Sequence, residues 1–233
     1  MFPVQQSQLI FESSGHEIQM DCFAPQANGQ RFPAVIGLHG SGGGYPVVAV
    51  PARLLAAQGF AVYVPHYFQR TGTEWVSDRS MMIRHAPAWM KTAWDAVSFV
   101  ARQPHTEPDR IALLGFSLGA YLSLGLSAID DRVKAVVDFF GGFPKEMKLF
   151  MRRLCPVLIL HGDADDTVPV SEALYLKDLL EKKRVPYELK IYPGVGHGFG
   201  PDIMTDAAQR TLAFLRTYLT GGSSSGTSQP SSP

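Results

Sequence analysis

Five apolar runs that do not alternate limit what this chain can become: AVIGL at 34–38, AVYV at 61–64, IALLG at 111–115, AVVDFF at 135–140 and VLIL at 157–160. A strand with one wet face alternates apolar and polar side chains, whereas a strand covered on both faces reads as a continuous apolar run. The runs therefore call for parallel strands sandwiched between layers of helix. The segments between them supply the cover. APAWMKTAWDAVSFVARQ places Trp89, Ala93, Val97 and Val100 on one helical face, and MTDAAQRTLAFLRTYL does the same for Ala208, Leu212, Leu215 and Leu219. Strand and helix alternate along the chain, the pattern of an α/β fold.

Two stretches depart from the pattern. SQLIFES and HEIQMDCFA, joined through Ser14 and Gly15, read as a hairpin, the second strand turning Ile18, Met20 and Cys22 to one side. YELKIY at 187–192 alternates again, so it is expected near the sheet edge with Tyr187, Leu189 and Ile191 on its drier face. The length of 233 residues, 45% of them hydrophobic, suits one domain over 1–220. The remainder, GGSSSGTSQPSSP at 221–233, has no charge and no large apolar side chain, and is expected to be a disordered tail.

Lys and Arg number 21 and so do Asp and Glu, with no basic run, so a nucleic-acid partner is not expected. No stretch has the length or apolarity of a membrane span or an export signal, so no membrane partner is expected. Cys22 and Cys155 are too few and too far apart for a disulfide framework or a zinc knuckle. A cytoplasmic location, with neither metal nor cofactor, is the resulting expectation; oligomeric state is not fixed by the sequence.

The chemistry centres on ALLGFSLGAYLS. A strand, then Gly115-Phe116-Ser117-Leu118-Gly119, then a helix is the order of a nucleophile elbow, in which glycines two positions either side let strand and helix pass closely and force the serine outward. The bland alternative is a glycine-bounded turn whose serine caps a helix. A catalytic serine needs a base and a group to orient that base. Only His161 and His197 follow it. His197, in the glycine-rich YPGVGHGFG, can reach over the sheet edge; His161, ending a strand, suits a structural role. Asp163, Asp165 and Asp166 all fall in LILHGDADDTVP, and each has a plain reading as a turn former. The spacing is not that of an EF-hand, since Val168 and Leu174 stand where glycine and glutamate are required. The loop HYFQRTGTEWVSDRSMMIR at 66–84 is long for a strand-to-helix connection. Tyr45, Tyr67, Phe68, Trp75, Met81, Met82 and Phe143 could line a substrate pocket or belong to the core.

In order and spacing, LHGSGGG, RIALLGFSLGA, LILHGDADDTVP and YPGVGHGF resemble the α/β-hydrolase superfamily, and within it the dienelactone hydrolase family, over about residues 4–219. The resemblance implies a mostly parallel sheet of about seven or eight strands with helices on both faces. It implies a triad of Ser117, His197 and Asp165. It assigns the backbone N–H groups of Leu118 and of Ser41 or Gly42 to an oxyanion hole. Founding members of the family carry a cysteine nucleophile where this chain has Ser117, and the arginines with which they hold a carboxylate have no firm match, although Arg70 and Arg84 are available. The expected activity is hydrolysis of a small-molecule carboxylic ester, lactone or thioester through an acyl-enzyme. Peptidase, acyltransferase and non-catalytic binding roles stay open on the same residues.

Overall fold

Among the described residues eight strands run Val4–Ser13 (β1), His16–Pro25 (β2), Phe32–Leu38 (β3), Ala61–Pro65 (β4), Thr106–Phe116 (β5), Val133–Phe139 (β6), Val157–Gly162 (β7) and Tyr187–Tyr192 (β8). They form one sheet in the order β1-β2-β4-β3-β5-β6-β7-β8. The computed structural model describes residues 1–27 and 29–221, and of residues 45–47 the backbone only. From 222 onward, the expected tail lies outside the described residues. The hairpin β1–β2 is antiparallel, β2 pairs antiparallel with β4, and every later pairing is parallel.

Helices α1 (Tyr45–Ala57) and α5 (Pro201–Leu215) cover one face, and α2 (Arg79–Val100), α3 (Leu118–Ser127) and α4 (Val170–Lys183) the other. The continuous runs are explained residue by residue. In β5, Ile111 and Leu113 pack into the α2–α4 layer, whereas Ala112, Leu114 and Phe116 pack into the α1–α5 layer. Neither face is free to be polar. β8 is the sheet edge and its Tyr187, Leu189 and Ile191 are half-buried, as its alternation implies.

Two details differ from the sequence reading. α2 begins at Arg79, within the long loop, because Asp78 accepts a hydrogen bond from the Ser80 N–H at 2.8 Å and so caps the helix. The helix then continues through Pro87, and another part of the loop is a 3₁₀ turn, Tyr67–Thr71. In α5 the buried face is Ala207, Thr211, Phe214 and Leu215, with Ala208 exposed; the stripe is rotated by about one position from that expected.

The chain leaves β3 for β4 on one side and crosses back to β5 on the other. The loops after β3 and β5 therefore diverge at their carboxyl ends and open a crevice, the place where α/β sheets bind ligands. Ser117 and the 39–44 loop both lie there.

Candidate active site

Ser117 sits between β5 and α3 with φ 52° and ψ −115°, a conformation that costs a non-glycine residue energy and persists only where its surroundings enforce it. The surroundings are close backbones. A Cβ on Gly119 would lie 2.2 Å from Leu38 O and 2.5 Å from His39 O, so α3 can start against β3 only with glycine there. The Ser117 N–H donates to Phe139 O at 2.9 Å, tying the elbow to β6.

His197 comes from the loop after β8, which folds onto the end of β7; a side chain on Gly162 would stand 2.0 Å from Val195 O. The Ser117 hydroxyl faces His197 Nε2 at 3.0 Å, and His197 Nδ1 faces Asp165 Oδ2 at 2.8 Å. Asp165 Oδ1 accepts from the N–H groups of Thr167 at 3.0 Å and Val168 at 2.8 Å. The carboxylate side chain is fully buried, while His197 keeps 24% of its side-chain exposure. With Asp165 acceptor-only, Nδ1 carries the proton and Nε2 is left to accept from the hydroxyl.

The neighbouring acids do other work. Asp163 Oδ1 accepts from the Gly194 N–H at 2.6 Å and holds the histidine loop, and Asp166 meets the Thr167 hydroxyl. His161 is wholly buried and donates from Nε2 to Val168 O at 2.8 Å. Burial lowers its pKa, so it stays neutral beside Asp165. His39 donates from Nδ1 to Gly40 O and stacks on Tyr67, and burial lowers it to about 4.

The 39–44 loop passes over the elbow, close enough that a Cβ on Gly40 would be 3.5 Å from Ser117 Cβ. Gly43 spends its N–H on Gly40 O, while those of Ser41 and Gly42 make no backbone bond among the described residues. The N–H of Leu118, first in α3, has no intrahelical acceptor. These three N–H groups, two in the loop over the elbow and one at the start of α3, have no backbone acceptor among the described residues. The Val76 N–H donates to Ser41 O at 2.8 Å, which braces the loop from the 72–78 segment.

The aromatic residues divide. Tyr67, Phe68 and Phe143 are core side chains, with exposures of 0%, 4% and 0%, and Tyr67 donates its hydroxyl to His39 O; they do not wall an open cleft. Trp75 is 65% exposed beside the braced loop, and Met81 is exposed on the first turn of α2. The side chain of Tyr45 lies outside the described residues. Arg70 Nη1 lies 3.1 Å from each ring nitrogen of His16 at the hairpin turn. Cys22 and Cys155 are buried thiols, each raised to about 11 by burial, so neither is a ready nucleophile. Among the described residues no cluster of three or more His, Cys, Asp or Glu could hold a metal ion.

Two residues near the serine escaped the sequence reading. Phe140 adopts φ 43°, unusual for a bulky residue, and sets its ring 5.0 Å from the His197 imidazole in a T-shaped contact. Asp138, fully buried under the elbow, accepts from the Gly141 N–H at 2.8 Å through Oδ1, and its Oδ2 has no partner among the described residues. Burial raises it to about 7. The available signal was an aspartate inside the run AVVDFF, a polar interruption in a strand that is otherwise apolar on both faces.

Comparison with known proteins agrees with this architecture. A protein of Aquifex pyrophilus named protein usf is 24% identical over 181 residues, covering 71% of this chain and 78% of that protein. The acylamino-acid-releasing enzyme of Mus musculus is 28% identical over 207 residues, covering 71% of this chain but only 28% of the mouse protein. Among solved structures, a dienelactone hydrolase-like promiscuous phosphotriesterase from metagenomic libraries superposes with a TM-score of 0.80 at 16% identity, covering 92% of this chain and 98% of that one. The model of the dienelactone hydrolase family matches residues 20–219, nearly the whole folded span, and the chain belongs to that family of hydrolases.

Proposed function

We propose that the protein is a serine hydrolase that cleaves a carboxylic ester through an acyl-enzyme, with Ser117, His197 and Asp165 as its triad. The observation that carries the reading is the unbroken line from Asp165 through His197 to Ser117, 2.8 Å and then 3.0 Å. Ser117 Oγ attacks the ester carbonyl as His197 Nε2 takes its proton. The new oxyanion is met by the N–H groups of Leu118 and of Ser41 or Gly42, the amino end of α3 adding its dipole. The imidazolium returns the proton to the departing alcohol, water enters, and the same base activates it against the acyl-enzyme. Asp165 stays ionised throughout, fixing the tautomer and balancing the imidazolium.

The buried, unpaired thiols suit a reducing compartment, and a cytoplasmic location is part of this reading. The rival is amide cleavage, favoured by the likeness to the mouse acylamino-acid-releasing enzyme. Parallel assays of p-nitrophenyl esters and acyl-amino-acid p-nitroanilides decide between them. Turnover of the esters, with anilide turnover at least about a thousandfold slower in kcat/KM, supports the ester reading. Anilide turnover at a similar rate makes the protein a peptidase.

A further inference from the structure

A surface at the end of α3 remote from Ser117 has no part in this chemistry. Two adjoining hollows of about 600 and 230 Å³ open there and share Arg152. Their walls are seven apolar and three cationic side chains, without a carboxylate, although acids and bases balance over the whole chain. Leu149, the last residue of the 3₁₀ turn Lys145–Leu149, is 90% exposed, and Phe150 after it is 66% exposed and shares the larger hollow with the half-exposed Trp94. Large apolar side chains in this density on an otherwise polar surface mark an interaction site.

The charges select the partner. Lys148 and Arg152 are exposed and make no side-chain hydrogen bond or ion pair among the described residues. Arg153 gives two N–H groups to Asp131 O and Val133 O, which fixes its charge in place, and Lys183 lines the second hollow. The single carboxylate within 145–154 is Glu146. The Arg152 N–H donates to Ala128 O at 2.9 Å, so the segment is anchored to the end of α3. Pairing two copies about a two-fold axis would bring like charges face to face. Protruding apolar side chains ringed by unpaired cations are instead complementary to an anionic bilayer, whose headgroups accept the cations and whose acyl boundary accepts leucine and phenylalanine without a preformed pocket.

We propose that this surface docks the protein on anionic membranes, with Leu149 and Phe150 entering the headgroup–acyl boundary and Lys148, Arg152, Arg153 and Lys183 facing the lipid charges. The expectation from sequence was of no membrane partner, because spans and signal peptides leave long apolar runs and a surface of this kind does not. The inference is independent of the triad.

The test is flotation of the full chain with vesicles of phosphatidylcholine plus phosphatidylserine, and of phosphatidylcholine alone, at low and physiological salt. Binding to the anionic vesicles, weakened by salt, is expected. It falls about tenfold or more in Leu149→Asp/Phe150→Asp and in Lys148→Glu/Arg152→Glu, with thermal stability and fluorophosphonate labelling unchanged. Absence of binding by the native chain at low salt overturns the proposal, as does binding that both variants retain. A native dimer that Leu149→Asp/Phe150→Asp dissociates, without vesicle binding, assigns the surface to a second copy and also overturns it.

Discussion

Replacing Asp165 by Asn tests the triad more sharply than removing it, because the structure dictates how the amide must sit. Oδ1 of Asp165 receives two N–H groups, from Thr167 and Val168, so the amide NH₂ of an asparagine cannot occupy that position without facing donors. The amide oxygen takes it, and the NH₂ turns to His197 Nδ1. Nδ1 must then accept, the ring proton moves to Nε2, and Nε2 can no longer take the proton of Ser117. The packing is almost unchanged while the base points the wrong way. The same tautomer error in serine proteases costs about ten-thousandfold in kcat, or roughly 5.5 kcal/mol of activation free energy. Steady-state hydrolysis of a p-nitrophenyl ester, with circular dichroism to verify the fold, measures it. Asp163→Asn, whose amide oxygen can still accept from Gly194, is expected to stay within about tenfold of native. A folded Asp165→Asn that retains activity within about tenfold, or an Asp163→Asn or Asp166→Asn that loses it, refutes the reasoning.

Further outcomes follow from burial and close packing. Asp138 has its folded pKa raised to about 7 from 3.8, so between those values the unfolded chain ionises first and folding stability falls as pH rises. Three units at about 1.36 kcal/mol each put this on the order of 4 kcal/mol, and urea unfolding at pH 4, 6 and 8 will show Asp138→Asn gaining on the native chain with pH. A constant gap between the two would contradict the burial argument. Cys22 and Cys155, raised to about 11, are expected to resist iodoacetamide at pH 8 in the folded chain and to react on denaturation, as read by mass. Gly119→Ala puts a methyl into the Leu38 and His39 carbonyls and is expected to cost about 3 kcal/mol or more in chemical unfolding, whereas a surface-like cost below about 0.5 kcal/mol would show that α3 can shift.

The order of the sheet's ingredients was readable because burial on both faces writes itself into β3, β5 and β7 as unbroken apolar runs, and because an elbow needs glycines at 115 and 119 for reasons of space. Ser117, His197 and Asp165 were found as types in an order, and the fold explains that order, since each follows the carboxyl end of a strand. Asp165 could be separated from Asp163 and Asp166 only by resemblance; what distinguishes it physically is two backbone donors from Thr167 and Val168, a turn geometry that no spacing rule encodes. The start of α2 was misplaced because Pro87 reads as a first-turn residue, whereas the cap at Asp78 lies two turns earlier. Pocket and core stayed open for Tyr67, Phe68 and Phe143 because aromatics near loops can face either way, and here all three face the core. Phe140 was invisible because strain at the end of β6 arises from the packing of β5 and β7 around it, whereas Asp138 left one trace, the polar interruption of AVVDFF, which does not by itself say what the carboxyl meets.

Intact mass after exposure to a fluorophosphonate, for the native chain and for Ser117→Ala, tests the central claim without any guess at the natural substrate. The account predicts one adduct on the native protein and none on the variant. A folded native chain that takes up no adduct, or a Ser117→Ala protein that still takes one, would contradict it.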